Sequence, residues 1–217
     1  KHGDIVGENG ILVIPSVSNM SMDFGKRFWI SDDTDLNRLF PGNPSGESGS
    51  RVAYAIMETT KGYRYGIHLP SFYLGGTFMP HIRLLDPEHG STSLANLFGL
   101  PYVIEAKSRP FDRTTLHNNW QRNGTEAFSL YTGMTGKIDD ELAAQAVSSI
   151  LRFLTRMGII RYYSHSGYIA SVLKEGDLEP IMTEAAGIFI KKAECGQEVS
   201  RGDVLAQIMK ADSGEII

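Results

Sequence analysis

Apolar and polar positions alternate between two periods along this chain, and the changes of period mark its elements. Ile11-Leu12-Val13-Ile14-Pro15 is a continuous apolar run closed by proline, the pattern of a strand buried in a sheet covered on both faces. Arg51-Val52-Ala53-Tyr54-Ala55-Ile56-Met57 returns apolar residues at helical spacing and stops near Lys61-Gly62, which predicts a surface helix packed on that sheet. Gly66-Ile67-His68-Leu69-Pro70 reads as the end of the next strand, and Leu94, Ala95, Leu97 and Phe98 as a short helix stopped by Gly99. Pro101-Tyr102-Val103-Ile104-Glu105 and Phe128 to Tyr131 are further strands. The strongest helix begins at a cap on Asp139 or Asp140, presents Leu142, Ala143, Ala146, Val147, Ile150, Leu151 and Leu154 to the core, and stops at Gly158. Strands alternating with helices predict an α/β domain with a mostly parallel or mixed sheet flanked by helices.

After about residue 160 the texture changes to short β-like runs separated by glycine: Ile169 to Leu173, Gly187 to Lys191 and Val204 to Met209. The expected organisation is an α/β domain over residues 1–161 followed by a small, incomplete β-sandwich or barrel-like domain over 162–217. The chain starts at Lys1 without a methionine or leader and ends after a turn at Asp212 to Glu215, so it reads as a fragment at both ends.

Composition narrows the partners. Of the 217 residues, 41% are hydrophobic and 21% charged, which is ordinary for a globular chain and argues against disorder. A formal charge of −4 offers no broad basic surface for nucleic acid, although a local positive pocket is compatible with it. The single cysteine, Cys195, excludes an intrachain disulfide and makes a reducing cytoplasm the default. No apolar run approaches the roughly 20 residues of a membrane helix. Two glycosylation sequons, at Asn19 and Asn123, lack a secretory context and read as chance. The sequence leaves the oligomeric state, a homo-oligomer included, open.

The chemistry concentrates in Asp35-Leu36-Asn37-Arg38-Leu39-Phe40-Pro41-Gly42. Arg38 offers a planar fork of N–H donors and Asn37 an adjacent amide, a pair suited to a carboxylate. The same residue types also build ordinary turns. The octapeptide resembles the Asp-Leu-Asn-Arg-x-Phe-Pro-Gly signature of the succinylglutamate desuccinylase/aspartoacylase family, zinc amide hydrolases related to the metallocarboxypeptidases.

That resemblance, extending roughly from Ile11 to Glu215, implies a zinc carboxypeptidase-like α/β domain and a C-terminal β domain. It implies zinc as the cofactor and a small anionic substrate, with Asn37 and Arg38 holding the substrate's carboxylate and Arg27 supplying a second positive group. Arg83 and Arg122 are weaker candidates. His68 stands at the third zinc ligand, in an Asp-x-His sequence whose aspartate is here Gly66. The first two ligands belong to a His-x-x-Glu motif that Lys1-His2-Gly3-Asp4-Ile5 imitates only at its start, so they are expected outside the chain. Tyr131 occupies the place of the family's general-base glutamate; a phenol is a poor base near neutrality but a competent hydrogen-bond donor. His81, His89, His117 and His165 show no metal-binding spacing and are left unassigned.

Two functional readings follow: a zinc-dependent hydrolase cleaving the amide of an N-acyl amino acid or similar small anion, and a non-catalytic anion-binding relative of such hydrolases. A third compares Glu184 to Leu205 with biotinyl and lipoyl carrier domains and Met209-Lys210-Ala211 with a biotin site. The residues around Lys210 depart from that motif, which favours a structural β module.

Overall fold

The computed structural model describes residues 4–72, 75–88, 90–134 and 137–217. Its centre is a five-stranded mixed sheet. The strands are β2 (Tyr65–His68), β5 (Glu126–Met134), β3 (Thr77–Leu85), β4 (Tyr102–Ala106) and β7 (Ser171–Lys174), in that spatial order. The β2/β5, β3/β4 and β4/β7 ladders are parallel, whereas β3 runs antiparallel to β5. Outside this sheet, β1 (Asp4–Ile5) pairs antiparallel with β6 (Ile160–Arg161), and a five-residue helix, α1 (Asn19–Asp23), is the first of the helices.

Successive residues of a strand point to opposite faces, and here both faces are covered. On one face Ile82 and Leu84 of β3, Val103 of β4 and Phe128 and Leu130 of β5 pack beneath α3 (Ser91–Asn96) and α5 (Asp140–Arg156). Phe98, Phe128 and Phe153 form its centre, with the Phe98 and Phe153 rings stacked at 4.4 Å. Helix α5 starts where expected: the Asp139 carboxylate accepts from the amides of Glu141 and Leu142, both at 3.1 Å. Its Arg152 is buried, donating to the carbonyls of Phe98 at 2.5 Å and His165 at 2.9 Å and so tying α5 to the chain on either side.

The other face carries Ala127 of β5 against Ala53, Ile56 and Met57 of α2 (Ser48–Thr59), Leu116 and Trp120 of α4 (Leu116–Arg122), and Phe40. This second layer positions the candidate site.

One expected strand is absent, and two elements stand where none was expected. Ile11 to Pro15 is irregular, with Val13 72% exposed, because a run of apolar residues becomes a strand only where a neighbour completes its ladder; among the described residues none does. Conversely, β3 lies in a stretch for which the periodicity predicts no element, and it carries Pro80 in its middle. Its register against β5 shifts between Phe78 and His81, and an irregularity of that kind accommodates a residue without an N–H. Helix α4 likewise has no signal in the periodicity: its Leu-His-Asn-Asn-Trp-Gln-Arg sequence has no continuous apolar stripe.

Beyond the sheet, β8 (Ile188–Lys191) and β9 (Ala206–Met209) form a two-stranded antiparallel sheet extended by a bridge between Met209 and Ile216. Strand β7, although within residues 162–217, belongs to the central sheet through its pairing with β4. No helix among the described residues is long and apolar enough to cross a membrane.

Candidate functional site

Register alone brings three chemically distinct side chains into line. His68 pairs with Ser129 across β2/β5, and Ser129 pairs with Arg83 across β5/β3, so the three residues occupy one row of the sheet. One step along, Tyr131 pairs with His81, and their rings stack at 5.1 Å with planes 11° apart. Helix α4 lays His117 over the row, its Nδ1 lying 2.8 Å from Ser129 Oγ. Gly66, two residues before His68, is the close approach that admits α4: a Cβ there would lie 2.4 Å from Trp120 Cε3. The aspartate that the resemblance expects at this position therefore has no room, because Trp120 occupies it.

The signature octapeptide covers the row from the loop side. Asp35 starts a single 3-10 turn, Leu36–Arg38, its carboxylate accepting from Asn37 N at 3.0 Å, while its carbonyl accepts from Arg38 N at 2.8 Å. Phe40 drops into the core, and Gly42 (φ 85°) lets the loop meet α2 where a Cβ would lie 2.2 Å from Tyr54 N. The Asn37 side-chain oxygen accepts from Leu116 N at 3.0 Å, which bolts the turn to α4 and leaves its Nδ2 as the donor.

Arg38 is held just as firmly. Its Nη1 donates to Phe111 O at 3.0 Å and lies 3.9 Å from Asp112 Oδ1, and its guanidinium sits 5.1 Å from the Phe111 ring centroid. Phe111 and Asp112 belong to a second 3-10 turn, Pro110–Thr114. Arg27 reaches in from an earlier loop, donating to Ser71 Oγ at 2.9 Å and Phe72 O at 3.0 Å, with Asp35 3.7 Å away.

These elements enclose a cavity of about 380 Å³. Arg27, Asn37, Arg38, His68 and Tyr131, the residues singled out from the sequence, all line it, as does Arg83. Arg122 does not; it stays exposed at the end of α4. Asp112, His117 and Ser129 are lining residues that no sequence motif singled out. Their signal was weak, because they lie in a short helix, a turn and a strand that only pairing brings together. His2 and His89 fall outside the described residues.

Electrostatics divide the cavity. Burial pushes His68 from the usual 6.5 down to about 4, against the opposing pull of Asp35. Burial, reinforced by His68 and Arg83, takes His117 to about 3. Both imidazoles are therefore neutral at physiological pH, able to donate or accept a hydrogen bond, and the buried Nε2 of His117 has no hydrogen-bond partner among the described residues. Burial pushes the Tyr131 phenol up, further raised by Asp112 and opposed by Arg83, Arg27 and Arg38, so it remains protonated. Tyr131 is packed between Phe72, at 4.6 Å, and His81, and it is a donor rather than a base. Arg27 and Arg38 from the loops and Arg83 from the sheet thus bring three guanidiniums to a cavity that His68, His117 and Tyr131 line as neutral polar groups, suited to a small molecule that carries a carboxylate beside an uncharged polar group.

A zinc site requires three protein donors around one point. Among the described residues no group of three histidine, cysteine, aspartate or glutamate side chains is placed to hold a metal ion. His68 supplies one neutral nitrogen, and the described residues do not make the site by themselves.

No protein-family model and no curated protein sequence matches the chain. Solved structures do. A succinylglutamate desuccinylase/aspartoacylase from Rhodobacter sphaeroides superposes with a TM-score of 0.74 at 19% identity, covering 91% of this chain and 62% of its own. A succinylglutamate desuccinylase from a Silicibacter species gives 0.75 at 20% identity over 88% of this chain and 60% of its own. The product-bound ectoine utilization protein EutE (DoeB) from Ruegeria pomeroyi gives 0.72 at 19% identity over 94% and 64%. The chain thus spans less than two thirds of the length of each of these structures. Nearly all of it superposes on them, and it has the fold of the succinylglutamate desuccinylase/aspartoacylase proteins.

Proposed function

We propose that this protein hydrolyses the amide bond of an N-acyl amino acid or a similar small anionic amide. The observation that carries the reading is the convergence of Asn37, Arg38, Arg27 and Arg83 on one cavity with His68. The substrate carboxylate meets the Arg38 guanidinium and the Asn37 Nδ2, both immobilised by contacts to the 110–116 segment, so little ordering entropy is spent on binding. The acyl amide then lies over the sheet row, where Tyr131, as a protonated phenol, is a donor to the carbonyl oxygen.

The resemblance of Asp35 to Gly42 to the family signature implies a zinc ion, for which His68 would be a ligand and which would polarise the amide carbonyl. A cytoplasmic location, resting on the lone Cys195, belongs to the same reading. The test uses full-length protein: metal content, and amine release from a panel of N-acetyl and N-succinyl amino acids. Bound zinc and turnover, both lost in His68→Ala, support the reading. A folded full-length protein that contains no metal and turns over nothing in the panel refutes it.

A second reading, a non-catalytic anion-binding relative, is favoured by Tyr131, which stands where a carboxylate base is expected. It requires binding of the same N-acyl amino acids without turnover.

A further inference from the structure

Among the described residues that line the 380 Å³ cavity one carries a carboxylate, and it is not at position 131. Asp112 sits in the 3-10 turn Pro110–Thr114 with its side chain 13% exposed. Its Oδ2 accepts from Arg109 N at 2.8 Å, whereas its Oδ1 lies 3.9 Å from Arg38 Nη1, beside the proposed carboxylate subsite. The turn is rigid: Thr115 Oγ1 donates to Asp112 O at 2.7 Å, and Arg38 Nη1 clamps Phe111 O. The Asp112 charge is felt at the Tyr131 phenol, which places the carboxylate within electrostatic reach of the position where a base was expected.

We propose that Asp112 is the proton-transferring carboxylate of this site, an assignment that rests on the hydrolase reading. Oδ2 is occupied by the backbone, so Oδ1 is the working oxygen. It takes a proton from water as the water oxygen bonds to the amide carbon. It then delivers that proton to the nitrogen as the C–N bond breaks, leaving a carboxylic acid and an amine. The second water proton stays on the acid product and is lost to solvent at neutral pH. A carboxylate held by one backbone donor and flanked by the guanidinium that grips the substrate meets the geometric demand of general-base catalysis: it is fixed and adjacent.

Asp112 also caps its turn and steadies Arg38, so the test separates chemistry from structure. Steady-state hydrolysis by the full-length protein is compared in wild type, Asp112→Asn and Asp112→Ala, with unfolding midpoints and ligand affinity alongside. The assignment expects kcat of Asp112→Asn to fall about 100-fold or more, with KM within about threefold and the midpoint unchanged. It also expects formate to restore turnover of Asp112→Ala at least about tenfold, since a small carboxylate can replace a lost base but not a lost cap. Wild-type turnover with Asp112→Asn within about threefold of it, or a loss confined to KM, overturns the assignment and leaves the hydrolase reading standing. Wild-type protein that binds N-acyl amino acids without turnover overturns both.

Discussion

Gly66 offers the sharpest physical test of how this site is built. Adding one methyl group in Gly66→Ala places a Cβ 2.4, 2.7 and 2.9 Å from Trp120 Cε3, Cζ3 and Cδ2, against an ordinary contact of 3.4–4 Å. The indole cannot easily retreat: it is 8% exposed, packed with α2 and Phe40, and pinned by Nε1 donating to Thr60 Oγ1 at 2.9 Å. Removing a glycine from a strand ordinarily stabilises by about 0.4–1 kcal/mol through the unfolded chain. Overpacking a fixed neighbour costs about 1–3 kcal/mol, occasionally more. The clash wins, for a net loss of about 1–2 kcal/mol, or about 2–8 °C in a domain of this size.

The assay is urea unfolding of wild type, Gly66→Ala, Trp120→Ala and the double mutant. In the Trp120→Ala background the methyl group has room, so Gly66→Ala should be neutral or stabilising there, giving a coupling of about 2 kcal/mol. Equal costs in the two backgrounds, or a single mutant within about 0.5 kcal/mol of wild type, would refute the claim that Trp120 excludes a side chain at position 66.

Three further outcomes follow from the same geometry. Arg38→Ala should weaken binding of an N-acyl amino acid by about 10- to 100-fold, and Arg38→Lys should recover only part of it, because an ammonium cannot reproduce the fork that grips Phe111 O and a carboxylate together; isothermal titration reads both. His68 and His117 bind protons less readily folded than unfolded, so stability is fully present above about 6.5 and falls as pH drops from there toward 4, by at most about 1.4 kcal/mol per pH unit per histidine. Urea midpoints at pH 7 and pH 5 should converge in a His68→Asn/His117→Asn double mutant, and an unchanged difference would remove these histidines as the cause. Arg152→Met keeps most of the apolar stem but strands the carbonyls of Phe98 and His165, and should cost about 1–3 kcal/mol by chemical denaturation.

Much of the scaffold was legible from periodicity. The helices at Ser48–Thr59 and Asp140–Arg156 and the strands at Tyr65–His68 and Tyr102–Ala106 stand within a few residues of where the pattern put them, because each buries an apolar face that its own sequence declares. Ile11 to Pro15 shows the limit of that logic, since its apolar run carries no information about whether a neighbouring strand is there to pair with it. The strand through Pro80 shows the converse: pairing with β4 and β5 overrides a local breaker.

The site divides in the same way. Asn37 and Arg38 could be chosen from the sequence because the octapeptide's chemistry is local: Asp35 caps the turn, Phe40 anchors it and Gly42 allows its close approach to α2. The alignment of His68, Ser129 and Arg83, with His117 over them, is set by strand register and helix placement between residues as much as 61 positions apart, and no local pattern encodes it. The replacement of the expected aspartate by Gly66 reads in the sequence as a gap in a motif. Only the tertiary structure shows its physical reason, that the Trp120 ring fills the volume a side chain there would need.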